Sequence, residues 1–369
     1  MREKTKIPVL LVLFLLFFIS CSKTINEKRG RVLLGIHDAT ITTTHHLGKI
    51  KVLYTGCGGL FIGTSNHFLI TDPFYTAHSF GSIFGEIAPL QQNTKKILDT
   101  ALSHGLNSTN AAAVLVSHSH YDHLEDLPAL LKNNQLKKEV KILGSPTTYC
   151  VIRPFTRQCN FEDAEMLIHR PRKDTIKNNG NWLRIDDSIR VLPILSSHAP
   201  HFYGIHMMRC KGKNRNCCPQ FQDTNETYKK NGFAWKEGST YSFLIDFFQG
   251  TDTFRVFVQS SASKAPDGFP PKEELNKHPI DLAILCMASF KYVKKYPNKL
   301  IPFLNAKHYM IIHWENFFAD FLSGEPKSVP GTNPAKFYKR ILKIHNKKEL
   351  SDLKQMYRMP IPQVMTQYE

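Results

Sequence analysis

The sequence predicts an α/β fold in which sheets of apolar strands are covered by helices. Three observations carry this. Apolar runs of strand length recur along most of the chain, segments with helical spacing separate some of them, and the side chains able to ligate a metal stand where strand runs stop. The stretch VLVSHSHYDHLED, from Val114 to Asp126, is the strongest case. It places His118, His120, Asp122 and His123 within six positions at the end of a small apolar run.

The 369 residues are 42% hydrophobic and 21% charged, which supplies the core of one large domain or two closely packed halves and excludes a wholly disordered chain. The first segment stands apart. Arg2, Lys4 and Lys6 precede the apolar run IPVLLVLFLLFFI, which is shorter than the roughly 20 residues needed to span a bilayer. A charged start, a short apolar stretch and small residues after it predict a secretory signal over residues 1–21. The sequence FISC resembles a bacterial lipobox. That resemblance implies a lipidated Cys21 as the first mature residue, and an exported protein anchored at the bacterial cell envelope by acyl chains. An ordinary signal cleavage that removes Cys21 is the alternative. Residues 22–44 then read as an exposed tether and residues 45–369 as the folded domain.

The seven other cysteines are odd in number and scattered, so they make no disulfide-dense framework. Cys210 with Cys217 or Cys218, and Cys150 with Cys159, are close enough in sequence to pair in an oxidising compartment; their spacing is not that of zinc ligands. A formal charge of +17 favours an anionic neighbour such as a membrane surface. The basic residues are dispersed and no nucleic-acid module is recognisable, so nucleic acid is not an expected partner.

From Lys49 onward the elements follow in order. KIKVLYTGCGGLFIG and HFLITDPF read as paired strands with glycine-marked turns. EIAPLQQNTKKILDTALSH has helical spacing over about 86–104, and it leads to the strand AAAVLVS, which carries the histidine cluster. HLEDLPALLKNN predicts a helix just after the cluster. Strands are expected in VKILGS, WLRIDD and IRVLPILSS, then a polar, lysine-rich loop insertion over 211–238 that could cover a site, then TYSFLIDFF, FRVFVQS, IDLAILCMAS and HYMIIHWENFF. The last helix starts at Asn333, with Pro334 in its first position and basic residues along one face.

The cluster has a chemical reading and a plain one. Imidazole and carboxylate are the usual borderline ligands for zinc, residues 118 and 120 point the same way off an extended segment, and Asp122 and His123 occupy the turn into the helix. A polar helix start with solvent-facing histidines accounts for one or two of the four residues but not for all of them together.

HSHYDH resembles the HxHxDH signature of the metallo-β-lactamase superfamily. The resemblance extends to YTGCGGLFIGTSNHFLITDPF, to LPILSSHAPH and to the closing segment ending in HYMIIHWENFF; SHSHYDHLED is closest to the branch of the N-acyl-phosphatidylethanolamine-hydrolysing phospholipase D and related lactone hydrolases. It implies an αββα sandwich with a metal site at one edge of the sandwich. It further implies that His118, His120 and His198 hold one ion, with His201 as the alternative third ligand or a substrate contact, and that Asp122, His123 and His313 hold a second. Asp72 would orient a ligand histidine, and Tyr121 or His201 would assist at an oxyanion. His206 is expected to be a structural polar group, and His308, inside the strand before His313, a packed or surface residue. One or two zinc ions, or iron or manganese in their place, are the implied cofactors.

One position departs from the family pattern. Ser260 stands where a metal-bridging aspartate is usual, so the site is expected to hold one ion, hold two more loosely, or recruit a carboxylate such as Asp246 or Asp252. The expected chemistry is hydrolysis with water activated by the metal and with Asp122 as ligand or general base, on an ester-type substrate, phosphodiester or lipid-like. The rival class is a non-catalytic envelope lipoprotein that keeps the fold and serves as a binding module.

Overall fold

The computed structural model describes residues 39–41, 50–168, 181–201, 204–211, 215–218, 231–323, 327–346 and 348–368. The expected signal, the lipobox and all of the expected tether except Ala39–Ile41 lie outside the described residues.

Two sheets stack face to face. Among the described residues the first has eight strands, in the spatial order β1 (Ala39–Ile41), β15 (Met365–Tyr368), β2 (Ile50–Gly56), β3 (Gly59–Gly63), β4 (Phe68–Thr71), β5 (Ala113–Leu115), β6 (Val140–Gly144) and β7 (Cys159–Asp163). The second has seven: β14 (Tyr357–Arg358), β13 (His308–Ile312), β12 (Leu282–Cys286), β11 (Asp252–Gln259), β10 (Tyr241–Gln249), β9 (Ile189–Leu195) and β8 (Leu183–Arg184).

Alternation along each strand builds three apolar layers, because successive side chains of a strand point to opposite faces. Val52 and Tyr54 of β2 meet Val256 and Val258 of β11 between the sheets. Leu53 and Phe61 face outward onto Ile97 and Ala101 of helix α1 (Gln91–Ser103). Phe257 and Ile311 face outward on the other side, onto Phe337 and Ile341. Helix, sheet, sheet, helix is therefore the layer order, the αββα sandwich of the metallo-β-lactamase fold.

Helix α1 starts at Gln91 rather than near Glu86. Leu90 is held extended with its N–H on the Thr76 hydroxyl at 2.8 Å, and Pro89 disfavours helix before it. Helices α2 (Tyr121–Leu124) and α3 (Asp126–Lys132) follow the histidine cluster directly. Helix α4 (Pro334–Ile344) begins as the sequence predicts: the Asn333 side chain accepts from the Lys336 N–H, and Pro334 fills the first position. It buries Phe337 and Ile341 and leaves Lys336, Lys339 and Lys343 exposed.

Three expectations are corrected here. Strands β1, β7, β14 and β15 were not expected, and β1 falls within the stretch read as tether; it pairs in parallel with β15. Cys150 bonds to Cys218 rather than to Cys159, whereas Cys210 bonds to Cys217, one of its two expected partners. The end of the 211–238 insertion is not a surface loop: Trp235 is fully buried and packs in the layer that holds α1.

Candidate metal centre

Strand direction gathers the site. β2, β4 and β5 run the same way in the first sheet, and β9, β11, β12 and β13 run the same way in the second. Their C-terminal ends deliver Cys57, Asp72, His118, His198, Ser260, Cys286 and His313 to one edge. The Tyr241 N–H, at the start of β10, donates to the Ser117 carbonyl at 2.8 Å and ties the two sheet edges together.

His118, His120 and His198 form one donor trio, with one ring nitrogen from each lying within 4.8 Å of the others. Their ring centroids are 4.6 to 4.9 Å apart. The His198 Nδ1 faces the Ala199 carbonyl at 2.6 Å; donating there leaves Nε2 with a free lone pair. His201 stacks on His198 at 4.7 Å but stands outside the trio, and its Nδ1 accepts from the Met207 N–H at 3.2 Å.

The second trio is Cys57, Asp122 and His313, whose ligand atoms also lie within 4.8 Å of one another. His123 stands beside it, with Nε2 3.6 Å from Asp122 Oδ2; the His313 Nε2 is 3.5 Å from the same oxygen. Asp72 turns His123 by accepting at Nδ1 (3.0 Å), while its own carboxylate is fixed by the Ser117 N–H (2.6 Å) and the Ser117 hydroxyl (2.7 Å). Tyr121 and Ser260 are buried in the wall of the same pocket.

Neither carboxylate considered as a replacement for the bridging aspartate reaches the site. Asp246 is taken by Arg255 (2.6 and 2.9 Å) and Arg190 (2.6 and 2.8 Å). Asp252 opens β11, eight residues from Ser260, which at about 3.3 Å per residue is on the order of 25 Å away.

Sequence reasoning missed Cys57, Tyr54 and Glu315. The fully buried Glu315 carboxylate accepts from the Cys57 N–H, the Tyr54 hydroxyl and the Trp314 N–H (3.1 Å), and the Tyr54 hydroxyl in turn accepts from the His313 N–H at 2.8 Å. Cys57 and His313 are thereby locked to each other across the two sheets. A cysteine between glycines at a turn, and an acid two residues after an expected ligand, were the available signals.

The electrostatics leave the imidazoles and Asp122 ready to ligate, whereas burial, followed by Glu315 and Asp122, pushes the Cys57 thiol well up. Burial, reinforced by neighbouring imidazoles, pushes His118 and His120 well below the usual histidine range, and burial takes His198 and His201 down to about 3. These four rings are neutral at physiological pH. Burial alone would raise the Asp122 carboxyl, but His123 and His313 hold it far below its ordinary value. Burial also works against a charge on His123, yet the Asp122 and Asp72 carboxylates raise it.

A divalent cation fits these residues. His118 Nε2, His120 Nε2 and His313 Nδ1 are buried with no hydrogen-bond partner. An unpaired buried polar atom costs about 1–3 kcal/mol, so three of them at one edge need a shared reason. Lone pairs of His118 and His120 offered to a cation supply it at the first trio; at the second, the His313 nitrogen that faces Asp122 is Nε2.

Four of the six donors, His120, Asp122, His198 and His313, line a cavity of about 300 Å³. Phe80, Phe84, Phe233, Phe317 and Phe318 form its apolar wall, and Lys291 lies among the lining residues. Residues 71–253 match the model of the beta-lactamase superfamily domain. The matched span of that domain contains Asp72, the histidine cluster and His198, whereas Cys57, Ser260 and His313 lie outside it.

Among solved structures, the chain is similar to a metallo hydrolase from the archaeon Ignicoccus hospitalis, with 12% identity, a TM-score of 0.46 and coverage of 87% of this chain and 99% of that one. A possible metal-dependent hydrolase from Veillonella parvula gives 12%, 0.46, 85% and 98% in the same terms. A diiron β-hydroxylase from Streptomyces venezuelae gives 11%, 0.45, 86% and 53%. No curated protein matches the chain.

Proposed function

We propose that this protein is a metal-dependent hydrolase acting on ester-type substrates, phosphodiester or lipid-like, at the bacterial cell envelope. The observation that carries the reading is the pair of donor trios, of which two members each, His120 with His198 and Asp122 with His313, line a largely apolar pocket. His118, His120 and His198 would hold one ion; Asp122 and His313, with His123 beside them, would hold another. Zinc suits the imidazole-rich first trio. Bound there, the metal would supply Lewis acidity and lower the pKa of water.

The chain's own groups do the rest. Asp122, kept ionised, is the carboxylate placed to take a proton from the attacking water. His201 accepts a hydrogen bond at Nδ1, so its neutral ring carries the proton on Nε2 and is able to donate to a substrate oxygen from the pocket wall. The phenylalanine wall binds an apolar group and excludes water, and Lys291 offers a cation to an anionic one. The two disulfides support an oxidising, exported location, and anchoring through Cys21 is part of the same proposal.

The test is elemental analysis of the full chain purified in detergent, with hydrolysis of bis(p-nitrophenyl) phosphate and of short-chain and long-chain p-nitrophenyl esters. Expected are about one or two ions per chain and turnover abolished by a chelator, faster on the phosphodiester or on the longer acyl chain. Absence of both metal and turnover would overturn the reading and place the protein among non-catalytic binding modules.

A further inference from the structure

We propose that Cys57 is a metal ligand, and that its thiolate, with Asp122 and His313, makes the second cation site in place of the carboxylate that Ser260 does not provide. The inference rests on the metal-hydrolase reading above and deepens it.

Four observations carry it. The Cys57 sulfur, an Asp122 carboxylate oxygen and a His313 ring nitrogen lie within 4.8 Å of one another. Independently of the cysteine, the His313 Nε2 lies 3.5 Å from Asp122 Oδ2, and the other ring nitrogen, Nδ1, is buried with no hydrogen-bond partner. Cys57 is completely buried and free of any disulfide, although four other cysteines of the chain are bridged. Its backbone is held at φ 50°, which a residue with a Cβ rarely adopts, by the N–H bond to Glu315, and His313 is held at φ 57° by the bond to Tyr54. The two-residue hairpin from β2 to β3 requires the positive φ at Cys57, so the turn itself places this residue within reach of Asp122 while His313 arrives from the opposite sheet.

Charge supports the same assignment. Of the six donors in the two trios, Asp122 is the only carboxylate. Asp72 and Glu315 stand beside the trios without belonging to them, so two dications would share one directly bound anion, and a thiolate would supply a second. On binding, the thiol loses its proton to solvent and the sulfur lone pair forms the bond to the metal, with no redox change. A thiolate, unlike a bridging aspartate, biases the site toward zinc or cobalt over manganese or magnesium.

The experiment is a cobalt(II) titration of the chelator-stripped full chain, read by metal stoichiometry and by the near-ultraviolet thiolate-to-cobalt charge-transfer band. Wild type is expected to take up about two ions and to develop the band with the second. Cys57→Ser should retain about one ion and show no band; Cys57→Asp should regain the second ion without the band. Cys286→Ser, which changes another free buried thiol near the pocket, should behave as wild type. Two ions without a band in wild type, one ion only in wild type, or a band that survives Cys57→Ser would overturn the assignment and leave the hydrolase reading standing. No cobalt uptake at all would overturn both. If Cys57→Ser does not fold, the wild-type spectrum and its persistence in Cys286→Ser decide the matter.

Discussion

Gly58→Ala is the perturbation that most directly probes how the site is held. A Cβ added at Gly58 would lie 2.2 Å from Asp72 Oδ2, 2.8 Å from His123 Nδ1 and 2.9 Å from Asp72 Cγ. None of these atoms is the free end of a flexible side chain, because Asp72 is fixed by Ser117 through two bonds and by His123 through a third. To reach ordinary contact the oxygen must retreat by about 1 Å, which breaks at least one of those bonds. Overpacking costs about 1–3 kcal/mol and a lost hydrogen bond to a buried charge about 1.5–3 kcal/mol, so a destabilisation of about 3 kcal/mol is expected. Turning His123 away should also weaken metal binding by about 10- to 100-fold. Urea unfolding of the metal-free protein isolates the first effect, and competition with a chromophoric chelator measures the second. An unchanged unfolding midpoint together with unchanged affinity would refute the claim that Asp72 is a rigid support.

The remaining predictions concern a buried carboxyl and the anchor. Burial, followed by the neighbouring Glu125, raises the Asp126 carboxyl to about 7, although the Tyr75 N–H (2.7 Å) and the Thr94 hydroxyl (2.8 Å) donate to it. Its folded pKa exceeds its unfolded one, so its contribution to stability is fully present below about pH 4 and is lost as pH rises through about 7. Asp126→Asn keeps an acceptor for Tyr75 and should therefore stabilise by on the order of 2 kcal/mol at pH 8 while being near neutral at pH 4; equal effects at both pH values in urea melts would refute the titration. Cys21→Ala should release the protein from the membrane fraction on cell breakage, whereas an unchanged membrane fraction counts against lipidation.

How much was legible in the sequence depended on whether the determining contacts were local. HSHYDH and the Asn333–Pro334 helix start were readable because their geometry is set within one turn of chain. The Asp246–Arg255 pair was readable in principle: it follows from the register of the β10–β11 hairpin around Gly250, and it removes Asp246 from the list of metal ligands. Cys57 was not readable, since what makes it a candidate ligand is its approach to Asp122 and His313 from β2, across a sandwich whose register no local pattern specifies. The disulfide from Cys150 to Cys218 spans 68 residues, and proximity in sequence pointed to Cys159 instead. Strand β15 is short and carries Thr366 and Gln367; only its pairing between β1 and β2 identifies it as part of the core sheet.

The same contacts bear on whether the site is a working one or a remnant. Cys57, Asp72 and His313 all have positive φ, at 50°, 40° and 57°, and such conformations cost about 1–3 kcal/mol each. They persist because Asp72 is bound to Ser117 and His123, and because Glu315 and Tyr54 bind the backbone of the other two. Neither Asp72 nor Glu315 belongs to a donor trio; both act by holding residues that do, or that stand beside one. The tight β2–β3 turn accounts for the positive φ at Cys57, whereas His313 follows β13 outside any hairpin, so strain held there is the part a site drifting out of use would be expected to relax. Two buried carboxylates committed to holding the site favour the proposed metal centre over a remnant, and on that proposal Ser260 marks a change in the composition of the second site rather than its loss.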